Sequence, residues 1–392
     1  MKIKKKLLST PAVLLFSAVL APFGVAHASP LVSVGDQLDV FFKGSSNLSW
    51  SSNLFRDSSN EVEDLLLTVT PGFEFKFGRG VSNADFSVLT SYDILRYDKS
   101  GAWDTELFHV KALGSYSANR LTATGSASFD ERQTTVRENV APGTLVESNQ
   151  TRFNVEGEYE YSPKFSVGSG VKYSDREYTS LESSYADREN FTIPVDVFYE
   201  LTAKVDLSFG YQYSQTEVEA NGTVSAYDVD SHFFNVGARG DLLPKLIGSF
   251  KFGYRSQDTD YSTGADKSDS SLGVDASFTY VTTPKLTNSL TLSRDFGASG
   301  TGSRVEETSA NLSANYAIDS QWSALARLGY SLREYLDSSR DDSYYTAGLR
   351  VNYTPNQYWS FGGGYGYSDN DSDVGVNSFQ NHKLDVSASL RY

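Results

Sequence analysis

His109, His232 and His382 are the histidines beyond residue 28 of this 392-residue chain. Acid–base chemistry would have to start with them, because a hydrolase needs a base within reach of a nucleophile or an acid. Ser231-His232 is the one close Ser–His pair near a strand-like segment. Adjacent strand residues point to opposite faces and cannot form a dyad, so the expected reading is a histidine at a rim. Asp369-Asn370-Asp371-Ser372-Asp373, and Asp337 with Asp341 and Asp342, offer the oxygen ligands that calcium takes. Neither stretch has the Gly and closing Glu of an EF-hand loop, so solvated loops that meet divalent ions are expected there. No phosphate loop, dinucleotide fingerprint or zinc spacing occurs, and zero Cys removes thiolate chemistry, disulfides and N-terminal lipid acylation. No catalytic residue, metal or cofactor is expected, and the chain is read as a non-enzyme.

Charged side chains instead follow a period of two. Phe153, Val155, Tyr159 and Tyr161 alternate with Asn154, Glu156, Glu158 and Glu160, a row of carboxylates that hydrocarbon would not tolerate. Phe165, Val167, Val171 and Tyr173 alternate with Ser166, Gly168, Gly170 and Lys172, and Val205, Leu207, Phe209, Tyr211 and Tyr213 with Asp206, Ser208, Gly210 and Gln212. Extending this parity assigns Glu156, Glu158, Glu160, Asp196, Glu200, Asp206, Arg327, Arg333, Arg350, Lys383 and Arg391 to an inner, lumen-lining face. The acidic members fall on the sixth to ninth expected strands and the basic ones on the fifteenth to eighteenth. On a closed ring these walls are roughly opposite, which predicts a transverse field, with Lys172 and Asp385 as exceptions. The alternative is the plain polar filling that any such wall requires.

The elements that would hold these rows are antiparallel strands closed on themselves. Lys2, Lys4, Lys5 and Lys6, an apolar stretch from Leu7 to Val25 and Ala26-His27-Ala28 predict a signal peptide over residues 1–28, leaving residues 29–392 as a single barrel domain. Beyond it no apolar run approaches 18 residues, which rules out helical spans. Yet Tyr 25, Phe 24 and Gly 31, with 21% charged residues, suit strands that meet lipid at every second position. Short turns recur about every 40 residues, at Ser162-Pro163-Lys164, Leu201 to Lys204, Leu243-Pro244-Lys245, Thr283-Pro284-Lys285, Asp319-Ser320-Gln321 and Pro355-Asn356-Gln357. Longer loops rich in Asp, Ser, Asn and Gly lie between them. The fold class expected is therefore all-β: a transmembrane antiparallel barrel of about 18 strands, with 16 as the alternative, short periplasmic turns and longer extracellular loops. Its first strand is placed at Gln37 to Trp50, and residues 132–149 are the one candidate for a plug. Inward Gly168, Gly170, Gly362, Gly364, Gly366, Ser126 and Ser128 suggest an open lumen, or else close strand approach.

Leu384, Val386, Ala388, Leu390 and Tyr392 alternate up to a C-terminal aromatic, the pattern of a signal read by barrel assembly machinery. Trp322 and Tyr358-Trp359 near turns, and Tyr330, Tyr335, Tyr365 and Tyr367 near loops, read as interfacial girdles. The hairpin repeat, with its Gly–aromatic pairs Gly210-Tyr211, Gly253-Tyr254, Gly329-Tyr330 and Gly366-Tyr367, resembles the Putative beta-barrel porin 2 family. The resemblance implies an outer-membrane pore beside exopolysaccharide machinery and fixes no individual residue. The expected function is a porin-like channel for hydrophilic solutes in a Gram-negative outer membrane, used in polysaccharide export or sugar uptake. The alternative is a non-conducting structural or adhesive barrel acting through acidic loops. Expected partners are outer-membrane lipid and lipopolysaccharide, the assembly machinery and polysaccharide export components. Loss of the four signal-peptide lysines takes the net charge from −15 to −19, which argues against nucleic acid.

Overall fold

Alternating side chains make a strand worth forming only if both of its edges are hydrogen-bonded, and in lipid that condition is met by closure. The computed structural model describes residues 29–392, apart from 36, 79–82, 136–142 and 223. The expected signal peptide, and the centre of the 132–149 connection proposed as a plug, lie outside the described residues. A short β1 (Val32–Val34) precedes eighteen long strands. These are β2 (Leu38–Ser51), β3 (Asp64–Phe77), β4 (Ala84–Tyr97), β5 (Thr105–Ala118), β6 (Leu121–Thr134), β7 (Val146–Ser162), β8 (Phe165–Tyr178), β9 (Arg188–Thr202) and β10 (Val205–Val218). They continue through β11 (Tyr227–Leu243), β12 (Leu246–Tyr261), β13 (Lys267–Thr283), β14 (Leu286–Ala298), β15 (Arg304–Ala317), β16 (Trp322–Tyr335), β17 (Asp341–Tyr353), β18 (Trp359–Ser372) and β19 (Phe379–Arg391).

Each long strand pairs antiparallel with its sequence neighbours, and β19 pairs with β2 from Lys383↔Ser51 to Arg391↔Lys43, which closes an 18-stranded barrel. Tyr392 and Phe42 complete the seam through reciprocal backbone bonds of 2.6 and 2.9 Å. β1 then covers the part of the β2 edge that lies beyond the end of β19, pairing Val32 with Val40 and Val34 with Leu38. This extra strand was not foreseen. The strands contain 13 to 17 residues, more than a tilted membrane crossing needs, so their ends stand clear of the hydrocarbon. For that reason Asp369–Ser372 is strand rather than loop, and the connection expected over 132–149 shrinks to 135–145. A ladder outside the membrane does not ask for apolar side chains, so composition alone reads such ends as loop.

The register assigns the faces. Phe209, Phe234, Leu328 and Leu349, all more than half exposed, belong to a continuous apolar outer belt. At the short-turn rim Trp322 stacks on Tyr353 (centroids 4.5 Å apart), and toward the loops Tyr330 lies against Tyr345 (5.1 Å), two levels of aromatics as girdles require. Tyr335 departs from this plan. It is buried, donates to Asp342 at 3.2 Å and lies under the Arg340 guanidinium, because its register partner Val305 belongs to the inner face.

Candidate functional site

The inner wall is built from long charged side chains lying flat over glycines. One row runs Glu158, Gly168, Asp196, Gly210, Asn235, Gly253, Gly273 across seven neighbouring strands. Its glycines are occupied space rather than openings. A Cβ at Gly210 would land on the side-chain oxygens of Asp196 and Asn235, and one at Gly362 would land on the Arg350 guanidinium. The Gly–Tyr pairs of the sequence are thus a seat inward and a girdle aromatic outward.

All eleven charged positions assigned by alternation share this polar face by register, and most are paired. Arg239 on β11 binds Glu158 on β7 through Nη1 (2.7 Å) and Nη2 (2.6 Å) and donates from Nε to Asp206 at 3.0 Å. Strands are about 4.8 Å apart, so β7 and β11 lie roughly 19 Å apart along the wall, and their side chains meet only because they share the concave side. Lys251 on β12 reaches Asp196 on β9 (2.7 Å), and Lys172 binds Glu156 (2.9 Å). Arg333 binds Glu307 (2.8 Å), Arg350 binds Asp385 and Ser387, and Arg391 crosses the seam to Glu74 (2.9 Å). Glu160, Glu200, Arg327 and Lys383 make no ion pair among the described residues.

The expected transverse field is therefore not found, because signs alternate around the ring. Each acidic position on β7 to β10 that is paired has its cation within four strands, and the basic wall carries Asp385 and is met by Glu307 on β15 and Glu74 on β3. A wall of one sign would cost Coulomb energy that a local counter-charge removes. The sequence reading missed Arg239, Lys251, Arg255 and Glu74, and also the inward aromatics Phe41, Phe198 and Phe233. These three are buried under Arg391 (3.8 Å from guanidinium carbon to ring centroid), Arg239 (3.4 Å) and Arg255 (4.0 Å) respectively. A Phe on the polar parity was the available signal: it needs a cover, and a guanidinium supplies one.

At the long-loop rim the chain folds inward, which was not expected outside 132–149. Residues 299–303, between β14 and β15, are almost entirely buried. The Ala186 amide donates to Gly300 (3.1 Å), the Tyr227 hydroxyl donates to the Gly302 carbonyl (2.7 Å), and Arg188 Nη1 donates to the Ser299 carbonyl (3.0 Å). Ala186, Val218, Tyr227 and Val229 form the apolar floor beneath it, with Val224 against them. A second cluster of Phe55, Leu95, Tyr97 and Leu145 sits inside the same mouth and includes Leu145 from the 135–145 connection. Between β16 and β17, Asp337 receives Arg304 at both oxygens (2.7 and 3.1 Å) and Lys267 at 2.5 Å. Burial pushes the Asp337 carboxyl up, but these cations outweigh it and hold the group down at about 2.

The candidate ligands and bases take structural roles. His232 and His382 face outward, where each Nδ1 meets a tyrosine hydroxyl, Tyr211 and Tyr365 respectively, at 2.8 Å. His109 faces inward between Asp93 and Asp130, both at 3.2 Å. Asp342 is fully buried and bound by Arg340. Asp369 accepts from Tyr367, and no group of three His, Asp or Glu side chains suited to a metal occurs among the described residues.

Solved structures of similar shape are outer-membrane proteins. The vanillate-bound OpdK of Pseudomonas aeruginosa matches with a TM-score of 0.46 at 12% identity, covering 90% of this chain and 99% of its own. The FrpB iron transporter of Neisseria meningitidis gives 0.48 at 9%, covering 90% and 81%. A bacterial polysaccharide outer membrane secretin gives 0.39 at 9%, covering 92% and 100%. No curated protein sequence matches. The family described as Putative beta-barrel porin 2 matches residues 47–392, from within the first long strand to the last residue, and the chain belongs to that family of porin-like outer-membrane barrels.

Proposed function

We propose that this barrel is a channel for hydrophilic solutes, exported with a cleaved signal peptide and assembled through its C-terminal strand. The observation that carries the reading is the inner wall, polar throughout and ion-paired along most of its circumference, inside a ring wide enough for an aqueous path. Glu160, Glu200, Arg327 and Lys383 are among the lumen-facing charges available to a passing solute. Saccharides suit such a wall, whose carboxylates and amides accept and donate to hydroxyls, so polysaccharide export or sugar uptake is the use we favour. His109, His232 and His382 are held by Asp or Tyr partners, which supports reading the barrel as a channel rather than an enzyme. The test is single-channel conductance of purified protein in a planar bilayer, with titration by neutral and acidic oligosaccharides. Large steps blocked by sugar support the channel. Silence from a folded barrel supports a structural or adhesive barrel, a reading favoured by the apolar clusters inside its mouth.

A further inference from the structure

One part of the inner wall is not charge-balanced. Arg132 on β6, Arg152 on β7 and Arg176 on β8 share the inner face, placed by the pairs Arg132↔Ser148, Ser128↔Arg152 and Gln150↔Arg176. In register Arg176 faces Gln150, two residues along β7 from Arg152, and Arg132 faces Ser148, two residues further on, so the three lie on adjoining strands toward the same rim. Among the described residues the one carboxylate paired with any of them is Asp130, 4.0 Å from Arg152 Nη1 and already held by His109 Nδ1 at 3.2 Å. Arg176 donates from Nη2 to Gln150 (3.2 Å), but its Nε is buried without a partner. No ion pair engages Arg132 or Arg176 among the described residues. Elsewhere on this wall Arg239, Arg333, Arg350 and Arg391 are each bound to a carboxylate, and Arg327 stands alone rather than in a group. Gln150, Asn154 and Thr192 lie around the group on the same face, and the Asn154 side-chain oxygen is buried and unbonded.

From this we propose that Arg132, Arg152 and Arg176 form an oxyanion-binding station on the lumen wall, which takes a carboxylate or sulfate group carried by a solute. A guanidinium presents paired N–H donors that match two oxygens of such a group, and like charges gathered on one stretch of wall are relieved when an anion lies among them. The buried Nε of Arg176 supplies a donor with no other use, and the surrounding amides and hydroxyl suit the polar remainder of the solute. In a protein of net charge −15 the cluster is a local reversal of sign just inside the mouth. The station gives the proposed channel a preference for acidic over neutral solutes, and in that respect it rests on the channel reading.

Two measurements on the full-length barrel keep the claims apart. Calorimetric titration in detergent with sodium sulfate, trigalacturonate and maltotriose reads binding without conduction, and bilayer recording with the same probes reads blocking. The variants are R152Q/R176Q and, as a control for lost charge, R120Q at the β5–β6 turn, with heat-modifiable migration in gels reporting folding. Binding of sulfate or trigalacturonate at least tenfold weaker in R152Q/R176Q and unchanged in R120Q supports the station. Equal binding in all three proteins, or maltotriose binding as tightly as trigalacturonate, overturns it. A barrel that binds the acidic probes in an arginine-dependent way but never conducts retains the station and loses the channel. Conduction without arginine-dependent binding does the reverse.

Discussion

Arg239→Met is the most informative single change in the inner wall. Its guanidinium spans β7 to β11, binds Glu158 with two bonds and Asp206 with a third, and covers the Phe198 ring. Removing one partner of a fully buried pair costs about 3–5 kcal/mol. Here the Arg239 and Glu158 side chains keep 24% and 18% of their exposure and face water, so screening reduces the loss to about 1–3 kcal/mol. Glu158→Gln alone should cost about 1 kcal/mol, because an amide still accepts one bond from Arg239 and one from Ser166. The double variant should then cost clearly less than the two losses added, with a coupling of about 1 kcal/mol or more. Arg239→Lys should behave like the methionine variant, since an ammonium cannot bind two carboxylates in a fork. The assay is urea unfolding of the barrel in lipid vesicles, followed by fluorescence of its four tryptophans. Single losses that add to within about 0.5 kcal/mol would show that the bridge across the wall carries no energy and refute the reasoning.

Three other perturbations address the rims. The Asp337 carboxyl, held at about 2, lies below its unfolded value near 3.9, so its contribution is complete above that value and lost as pH falls through the folded one. Protease resistance of the β16–β17 loop should therefore be flat from pH 7 to about 5 and fall toward pH 2; Asp337→Asn should abolish that dependence. Deleting residues 300–302 should raise single-channel conductance, because this buried segment occupies the mouth, and unchanged steps would mean that it does not narrow the path. On the outer face, Asp175, Glu189, Glu217, Asp228 and Asp260 stand directly opposite one another across five strands. Like charges in register repel, so Glu217→Lys should raise the free energy of unfolding by about 0.5–1 kcal/mol, and a drop would argue against repulsion in that row.

Much of this was legible in the chain itself, for a local reason. A strand has period two, so a few consecutive residues such as Glu156, Glu158 and Glu160 against Val155, Tyr159 and Tyr161 declare both the element and its two faces. Repeated at hairpin spacing, that signal yields 18 strands, two unequal rims and the inner parity of all eleven charged positions. It does not say which charge meets which. Arg239 and Glu158 are 81 residues apart and Arg391 and Glu74 are 317 apart, and only the curvature and closure of the sheet bring them within reach. The same holds for Phe41, Phe198 and Phe233, which break the alternation and are tolerable only once a distant guanidinium covers them. It holds too for residues 299–303, a Ser-Gly-Thr-Gly-Ser stretch whose composition reads as an exposed loop. Alternation is a property of neighbours along the chain, whereas charge pairing, seats for arginines and the inward loop depend on groups that the closed barrel alone makes neighbours.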